Sequence, residues 1–120
     1  METNIKQLTI IILEYTEVFL NKFTYAKENG TKGDFFHEVK PFADEVKLVN
    51  DQWKDVATKW VLQTRPKNIY VKQIESTHEQ IETLSIQAFY SDTSRTRFIN
   101  YLQSVQYILK VLLAELEKRE

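Results

Sequence analysis

Apolar residues recur every three or four positions in four stretches of the chain. This spacing places the side chains on one stripe of an α-helix, and such a stripe must be buried against another surface. The stripes follow residues 5–26, 46–60, 70–88 and 98–116, with short breaks rich in Gly, Pro, Ser or Asp between them. Four stripes in one small chain most simply bury one another. The pattern therefore predicts an all-α protein, an antiparallel four-helix bundle in up-down-up-down order with an apolar interior.

The breaks give the expected bounds of the helices. Thr3 or Asn4 can cap the first helix, and Pro66 cannot continue the second. The expected helices cover residues 3–28, 41–63, 71–90 and 95 to near the C-terminus. Because the connections are short, sequential helices should be antiparallel neighbours. One end of the bundle, the connection end, then carries the 30–40 connection and the 91–94 turn; the other, the terminal end, carries both termini and the 65–67 turn.

Length, charge and cysteine content narrow the class of protein. With 120 residues the chain has room for one domain, residues 1–120, and one core. It has no cysteine, which excludes disulfides and thiolate metal sites and fits a reducing compartment. Sixteen basic residues nearly balance seventeen acidic ones, so no strong field attracts nucleic acid or an anionic membrane. The apolar run at 8–13 is far shorter than the ~20 residues that span a bilayer. We therefore expect a cytoplasmic protein.

Helical bundles often hold metal ions, and both histidines follow an acidic residue by three positions, as Asp34 and His37 and as Glu75 and His78. His78 is about twelve residues from the connection end, where His37 belongs, or roughly 18 Å along a helix. A single two-metal site therefore cannot use both His37 and His78 as ligands. Glu115 and the other acids of the first and last helices are expected on the polar faces beside the stripes. We expect no metal or other cofactor and solvated or rim histidines; the alternative is a divergent metal-binding carboxylate bundle centred on Glu75 and His78.

Enzymatic motifs are not found in the sequence. The two glycines do not form a phosphate-binding loop, and no serine lies in a G-x-S-x-G turn. The acidic residues are expected on wet faces, where they lack the raised pKa of a general acid. Trp53 and Trp60 are two helical turns apart and are expected in the core, although a stacking platform for a ligand is an alternative. The chain is therefore expected not to be an enzyme.

Two adjacent aromatic residues, Phe35 and Phe36, lie in the connection between the first two helices. The favoured interpretation is a plug, with one or both rings folded over the open end of the bundle. The alternative is an exposed anchor for a protein partner, rimmed by basic residues that include Lys40 and Arg97. Further apolar residues beside the stripes could widen the core or form a dimer seam: Ile11, Val18, Leu48, Ile99 and Ile108. The oligomeric state is expected to be a monomer or weak homodimer.

Several short motifs resemble the YppE-like family, a set of small helical proteins from Gram-positive bacteria. They are Asp34-Phe35-Phe36 through Lys40-Pro41, Arg65-Pro66-Lys67 followed by Gln73-Ile74, and Arg97-Phe98. The resemblance spans nearly the whole chain and implies an up-down four-helix bundle. It implies no activity, because the family is itself of unknown function. The sequence thus predicts a non-enzymatic cytoplasmic bundle that acts through protein contacts.

Overall fold

The chain folds into four long helices that pack as a bundle. The computed structural model describes the backbone of residues 2–119 and the side chains of residues 5–119. The helices are α1 (Glu2–Asn29), α2 (Lys40–Thr64), α3 (Val71–Gln87) and α4 (Arg95–Lys118). Each packs against the next along the chain, and α4 packs back against α1. At 1.5 Å per residue α1 is about 42 Å long, close to the 45 Å long axis of the molecule. The predicted all-α bundle is confirmed.

The chain enters α2 through a helical turn capped by Asp34, as the sequence indicated, but the wide π form of this turn was not predicted. This π turn, Phe35–Val39, has hydrogen bonds from residue i to residue i−5: the Val39 amide donates to the Asp34 carbonyl at 3.0 Å, and the Lys40 amide donates to that of Phe35. Pro41 explains the change, because its ring has no N–H and would press on the carbonyl four residues earlier in a regular α-helix. The second helical segment therefore begins before Pro41.

Asp34 and Glu38 cap the π turn reciprocally. The Asp34 carboxylate accepts the His37 amide at 3.0 Å, and the Glu38 carboxylate accepts the Asp34 amide at 2.9 Å. Glu38 is one position beyond the partner of a normal capping box, and the wider turn accommodates it. The His37 amide hydrogen bond lowers the pKa of Asp34. The cap expected from Thr3 or Asn4 in α1 lies outside the described side chains.

The two connections at one end of the bundle are joined by backbone hydrogen bonds. α3 ends at Gln87, three residues earlier than expected, and residues 88–90 turn towards the first connection. The Gly33 amide donates to the Phe89 carbonyl and the Ser91 amide to the Thr31 carbonyl, both at 3.1 Å. The connection end thus contains the pieces assigned to it. Within residues 2–119, no helix is long and apolar enough to cross a bilayer.

The core contains both tryptophans, as predicted, but its interior is not wholly apolar. Trp53 is fully buried and donates its indole N–H to the Thr9 hydroxyl at 3.1 Å. Asn50 is also fully buried and donates to the His78 carbonyl at 2.9 Å. Short polar side chains can be buried where backbone groups are within reach, because the hydrogen bond offsets the loss of water. Of the stripe-flanking residues, Ile108 joins the core and Leu48 is exposed.

The terminal end is closed by a buried carboxylate, which contradicts the polar-face prediction for Glu115. Only 8% of Glu115 is exposed. Its carboxylate accepts the Asn68 amide at 3.4 Å and the Lys118 ammonium at 3.3 Å, and Lys118 lowers its pKa. Asn68 lies in the connection that follows α2, so its side chain reaches Glu115 only through the tertiary fold.

Candidate functional sites

Phe35 and Phe36 are exposed, so the favoured plug interpretation is wrong. The exposed fractions are 48% and 74%, and the two rings meet edge to face with centroids 5.2 Å apart. The inward position of the π turn belongs to Val39, which is fully buried. Because one residue of the turn already fills the space above the core, the two rings remain on the outer face.

The residues that close the connection end are Phe42 and Phe89. Their rings meet edge to face at 5.6 Å, and Phe89 is almost completely buried. Gly33 allows the first connection to lie against this pair. A Cβ atom at position 33 would stand 2.8 Å from the Phe89 ring and 2.9 Å from the Val39 side chain, closer than carbon atoms normally approach.

We call Phe42 and Phe89 the aromatic seal. A groove of about 520 Å³ opens beside this seal and next to the π turn. Its wall combines apolar and polar residues from α1, the first connection, the π turn and the turn after α3: Val18, Asn21, Lys22, Tyr25, Ala26, Thr31, Lys32, Gly33, Glu38 and Phe89. Grooves of this size and mixed lining are typical of ligand sites in proteins. We call it the connection-end groove.

Lys22 projects its ammonium group into the aromatic seal beside this groove. The nitrogen is 4.9 Å from the centroid of the Phe42 ring and 4.8 Å from that of Phe89, a cation–π arrangement with both. Within the part of the chain whose side chains are described, no carboxylate lies within ion-pair distance of this ammonium. By contrast, Lys32 in the same groove is 3.8 Å from the Asp92 carboxylate.

The two basic residues predicted to accompany the phenylalanines also lie at the connection end. Lys40 opens α2 and forms an ion pair with Asp44 at 2.8 Å. Arg97 is exposed in the first turn of α4, and its backbone amide donates to the Ser94 hydroxyl that caps this helix. The candidate contact residues Phe35, Phe36, Lys40 and Arg97 therefore share one end of the bundle and are all accessible.

A second candidate site lies between α2 and α3, around His78. The His78 Nε2 atom is 2.8 Å from the Asp51 carboxylate and 3.3 Å from that of Glu82. The other Asp51 oxygen accepts the Lys47 ammonium at 3.0 Å. The hydrogen bond to His78 lowers the pKa of Asp51. His78 is thus nearly buried and paired, neither solvated nor at an open rim as predicted.

The residues around His78 differ from the expected metal ligands. Glu75 is exposed and is not part of the group, whereas one ligand atom each from Asp51, His78 and Glu82 lies within 4.8 Å of the others. Ligands about 2.0–2.2 Å from a tetrahedral ion stand roughly 3.3–3.5 Å apart. An ion would therefore have to replace the 2.8 Å hydrogen bond between His78 and Asp51. As it stands, the group ties α2 to α3. His37 lies elsewhere, 3.2 Å from Asp34 in the exposed π turn.

Lys22, Asp51, Glu82 and Phe89 are among the residues of these sites that the sequence interpretation missed. Glu82 follows His78 by four positions, a helical spacing that could have been considered. Lys22 continues the heptad of Leu8 and Tyr15, and a cation at an apolar heptad position is a readable signal. Asp51 and Phe89 carry no local signal, because their contacts depend on how the helices pack.

The chain is similar over its length to proteins of several Gram-positive bacteria. The uncharacterized protein YppE of Bacillus subtilis (strain 168) is 24% identical over 114 residues, which cover 95% of this chain and 93% of that protein. The crystal structure of YppE has a TM-score of 0.93 at 23% identity, covering 99% of this chain and 97% of that one.

Two further crystal structures share the fold. A Listeria innocua protein of unknown function has a TM-score of 0.93 at 23% identity, covering 98% of this chain and 94% of that one. A Staphylococcus aureus domain of unknown function has a TM-score of 0.86 at 23% identity, covering 93% and 95% of the two chains. The model of the bacterial domain of unknown function DUF1798 matches residues 9–116. This chain belongs to the DUF1798 family.

Proposed function

We propose that this is a non-enzymatic cytoplasmic protein that binds a protein partner at its connection end. The supporting observation is the exposed pair Phe35 and Phe36: their rings contact each other, Phe36 is largely in solvent and Phe35 is about half exposed. Complete burial of one such ring in an interface is worth about 1.5–3 kcal/mol. Two adjacent rings are therefore a strong candidate for the centre of an interface, where aromatic anchors dominate binding.

The surroundings of the pair support the same proposal. Lys40 and Arg97 supply exposed positive charge at the same end of the bundle, as the rim of an interface does. The connection-end groove begins at the π turn through Glu38 and includes exposed Tyr25. We propose that the protein is a monomer or a weak homodimer. We assign it no nucleic-acid partner, because the net charge is −1, and no reaction and no cofactor.

The experiment compares three baits in quantitative affinity capture from the native cell. They are the unaltered protein, Phe35→Ala/Phe36→Ala, and Leu48→Ala/Leu62→Ala, which removes two exposed leucines of α2 as a matched control. We expect the phenylalanine variant alone to lose at least one captured protein, by tenfold or more. Equal retention by all three baits would contradict the proposal, and circular dichroism of the purified baits establishes that each one folds.

The second candidate function is divalent metal binding by Asp51, His78 and Glu82, which replaces the proposed centre of Glu75 and His78. The proximity of the three ligand atoms favours it. Elemental analysis of protein purified without added metal, followed by Zn²⁺ and Mn²⁺ calorimetry, tests it. Metal binding predicts a stoichiometric ion that Asp51→Asn/His78→Gln loses and Glu75→Gln retains. Sub-stoichiometric metal in all three proteins rejects this candidate.

A further inference from the structure

The connection-end groove contains a positive charge that has no carboxylate at ion-pair distance among the side chains of residues 5–119. Lys22 lines the groove, is only partly exposed, and rests its ammonium group on the faces of Phe42 and Phe89. The aromatic rings compensate a cation only in part, and the charge–charge attraction of a carboxylate in such a partly dry place is much stronger than in water. A carboxylate of a ligand could thus form an ion pair with the Lys22 ammonium group in the groove.

The neighbouring lysines differ from Lys22 either in their partner or in their position. Lys32 faces Asp92, and Lys27 rests on the Phe23 ring, 5.4 Å from its centroid, outside the groove lining. Glu38 stands in the groove wall and accepts the Asp34 amide, so it adds a fixed negative charge on the π-turn side. The electrostatics of the groove therefore favour one acidic group, placed at Lys22 and away from Glu38.

The apolar part of the wall defines the rest of the ligand. Val18 and Tyr25, which are 37% and 64% exposed, offer accessible carbon surface in the groove, whereas Ala26 and Phe89 are almost completely buried behind it. A bulky apolar side chain can lie on this surface while an acidic side chain of the same segment reaches the ammonium. The groove is open to solvent along one side, so a polypeptide can cross it without threading.

We infer that the connection-end groove binds a peptide segment of the partner protein that carries an apolar side chain and a nearby Asp or Glu, with Lys22 as the counter-charge. This inference rests on the proposed function and names the chemistry of the partner. The groove reaches the π turn at Glu38, so the same segment can extend onto the turn that carries the exposed rings of Phe35 and Phe36. Charge-assisted hydrogen bonds of this kind are the strong ones in recognition, and truncating one partner commonly costs tenfold or more in affinity.

A peptide-display selection on the full-length protein tests the inference. The library is random twelve-residue peptides. The variant Lys22→Met keeps most of the alkyl stem over the rings and removes the charge, and Lys27→Met is the matched control on the same helix. We expect the enriched peptides to pair a Leu or aromatic residue with an acidic residue. Their affinity should fall about tenfold with Lys22→Met and stay unchanged with Lys27→Met. Amide NMR shifts should concentrate at residues 21–26 and 31–33.

The remaining outcomes overturn the inference. They are a selection that enriches nothing, enriched peptides that lack acidic residues, and binding that Lys22→Met leaves unaltered. These outcomes are distinct from failure of the proposed function. If capture depends on Phe35 and Phe36 while Lys22→Met changes nothing, the partner binds by the aromatic pair alone. If capture ignores the phenylalanines, the proposed function fails whatever the selected peptides contain.

Discussion

The two ends of the bundle both expose apolar side chains, but they differ in the hydrogen bonds, ion pairs and ring contacts that their side chains make. At the terminal end, the Glu115 carboxylate has two hydrogen-bond partners, and the exposed Tyr70 hydroxyl donates to the Lys67 carbonyl. At the connection end, Phe36 contacts its neighbouring ring and Lys22 lies on two aromatic faces, with no carboxylate of the described side chains at ion-pair distance. A surface gains most from a partner where its own groups are least satisfied. The difference therefore favours the connection end as the surface that binds a partner.

The largest expected effect on the free energy of unfolding comes from truncating a buried aromatic residue, in contrast to an exposed one. Phe98 is fully buried and stacks on Phe23 with centroids 4.0 Å apart. We expect Phe98→Ala to lower the free energy of unfolding by about 3–5 kcal/mol, because it leaves a cavity. Phe36→Ala should change it by less than about 0.5 kcal/mol, because the ring is already in water. Urea denaturation measures both values. A comparable loss for Phe36→Ala would show that this ring packs into the fold.

A smaller effect is expected where the first connection crosses the aromatic seal. Gly33→Ala inserts a Cβ atom against Phe89 and Val39, and we expect it to lower the free energy of unfolding by about 1–3 kcal/mol. Gly30→Asn is the control, because Gly30 has a positive φ of 61° with no atom near its Cβ position, and Asn tolerates that conformation. Equal losses for the two variants in the same urea experiment would mean that close packing at Gly33 is unimportant.

The smallest expected effect concerns the charge at the terminal end. The pKa of Glu115 is lowered by Lys118 and Asn68, so the folded state prefers the ionised carboxylate. Its contribution to stability is complete above the ordinary pKa of 4.5 and is lost as the pH falls through the lower folded value. Glu115→Gln should therefore lower the midpoint of thermal unfolding slightly at pH 7 and reduce its dependence on pH below 4.5. An unchanged acid slope would contradict the stabilising ion pair of Glu115 with Lys118; exposed Glu117→Gln is the control.

The fold could be predicted from the sequence because helical periodicity repeats over many turns in each segment. The stripe of α4 from Phe98 to Leu116 is buried at every predicted position. The π turn was not predicted, since it depends on where Pro41 falls relative to the carbonyl four residues earlier. Glu115 was misplaced because its partner Asn68 lies 47 residues away and only the packed bundle joins them.

The candidate sites were harder to predict because they depend on which face of a short segment points inward. Phe35, Phe36 and Val39 are all apolar, and local spacing does not decide which of them fills the end of the bundle. The structure gives that position to Val39. In the same way, His78 could be placed on α3 from the sequence, but its partner Asp51 belongs to α2 and depends on the register between the two helices.

Site-specific photo-crosslinking in the native cell tests the central claim most directly. Phe36→p-benzoylphenylalanine places a photoreactive ring at the connection end, and Leu62→p-benzoylphenylalanine places the same ring at an exposed position near the opposite end of α2. We predict a discrete cross-linked product of higher mass from position 36 and none of that mass from position 62. No product at position 36, or the same products from both positions, would contradict the assignment of the connection end as the binding surface.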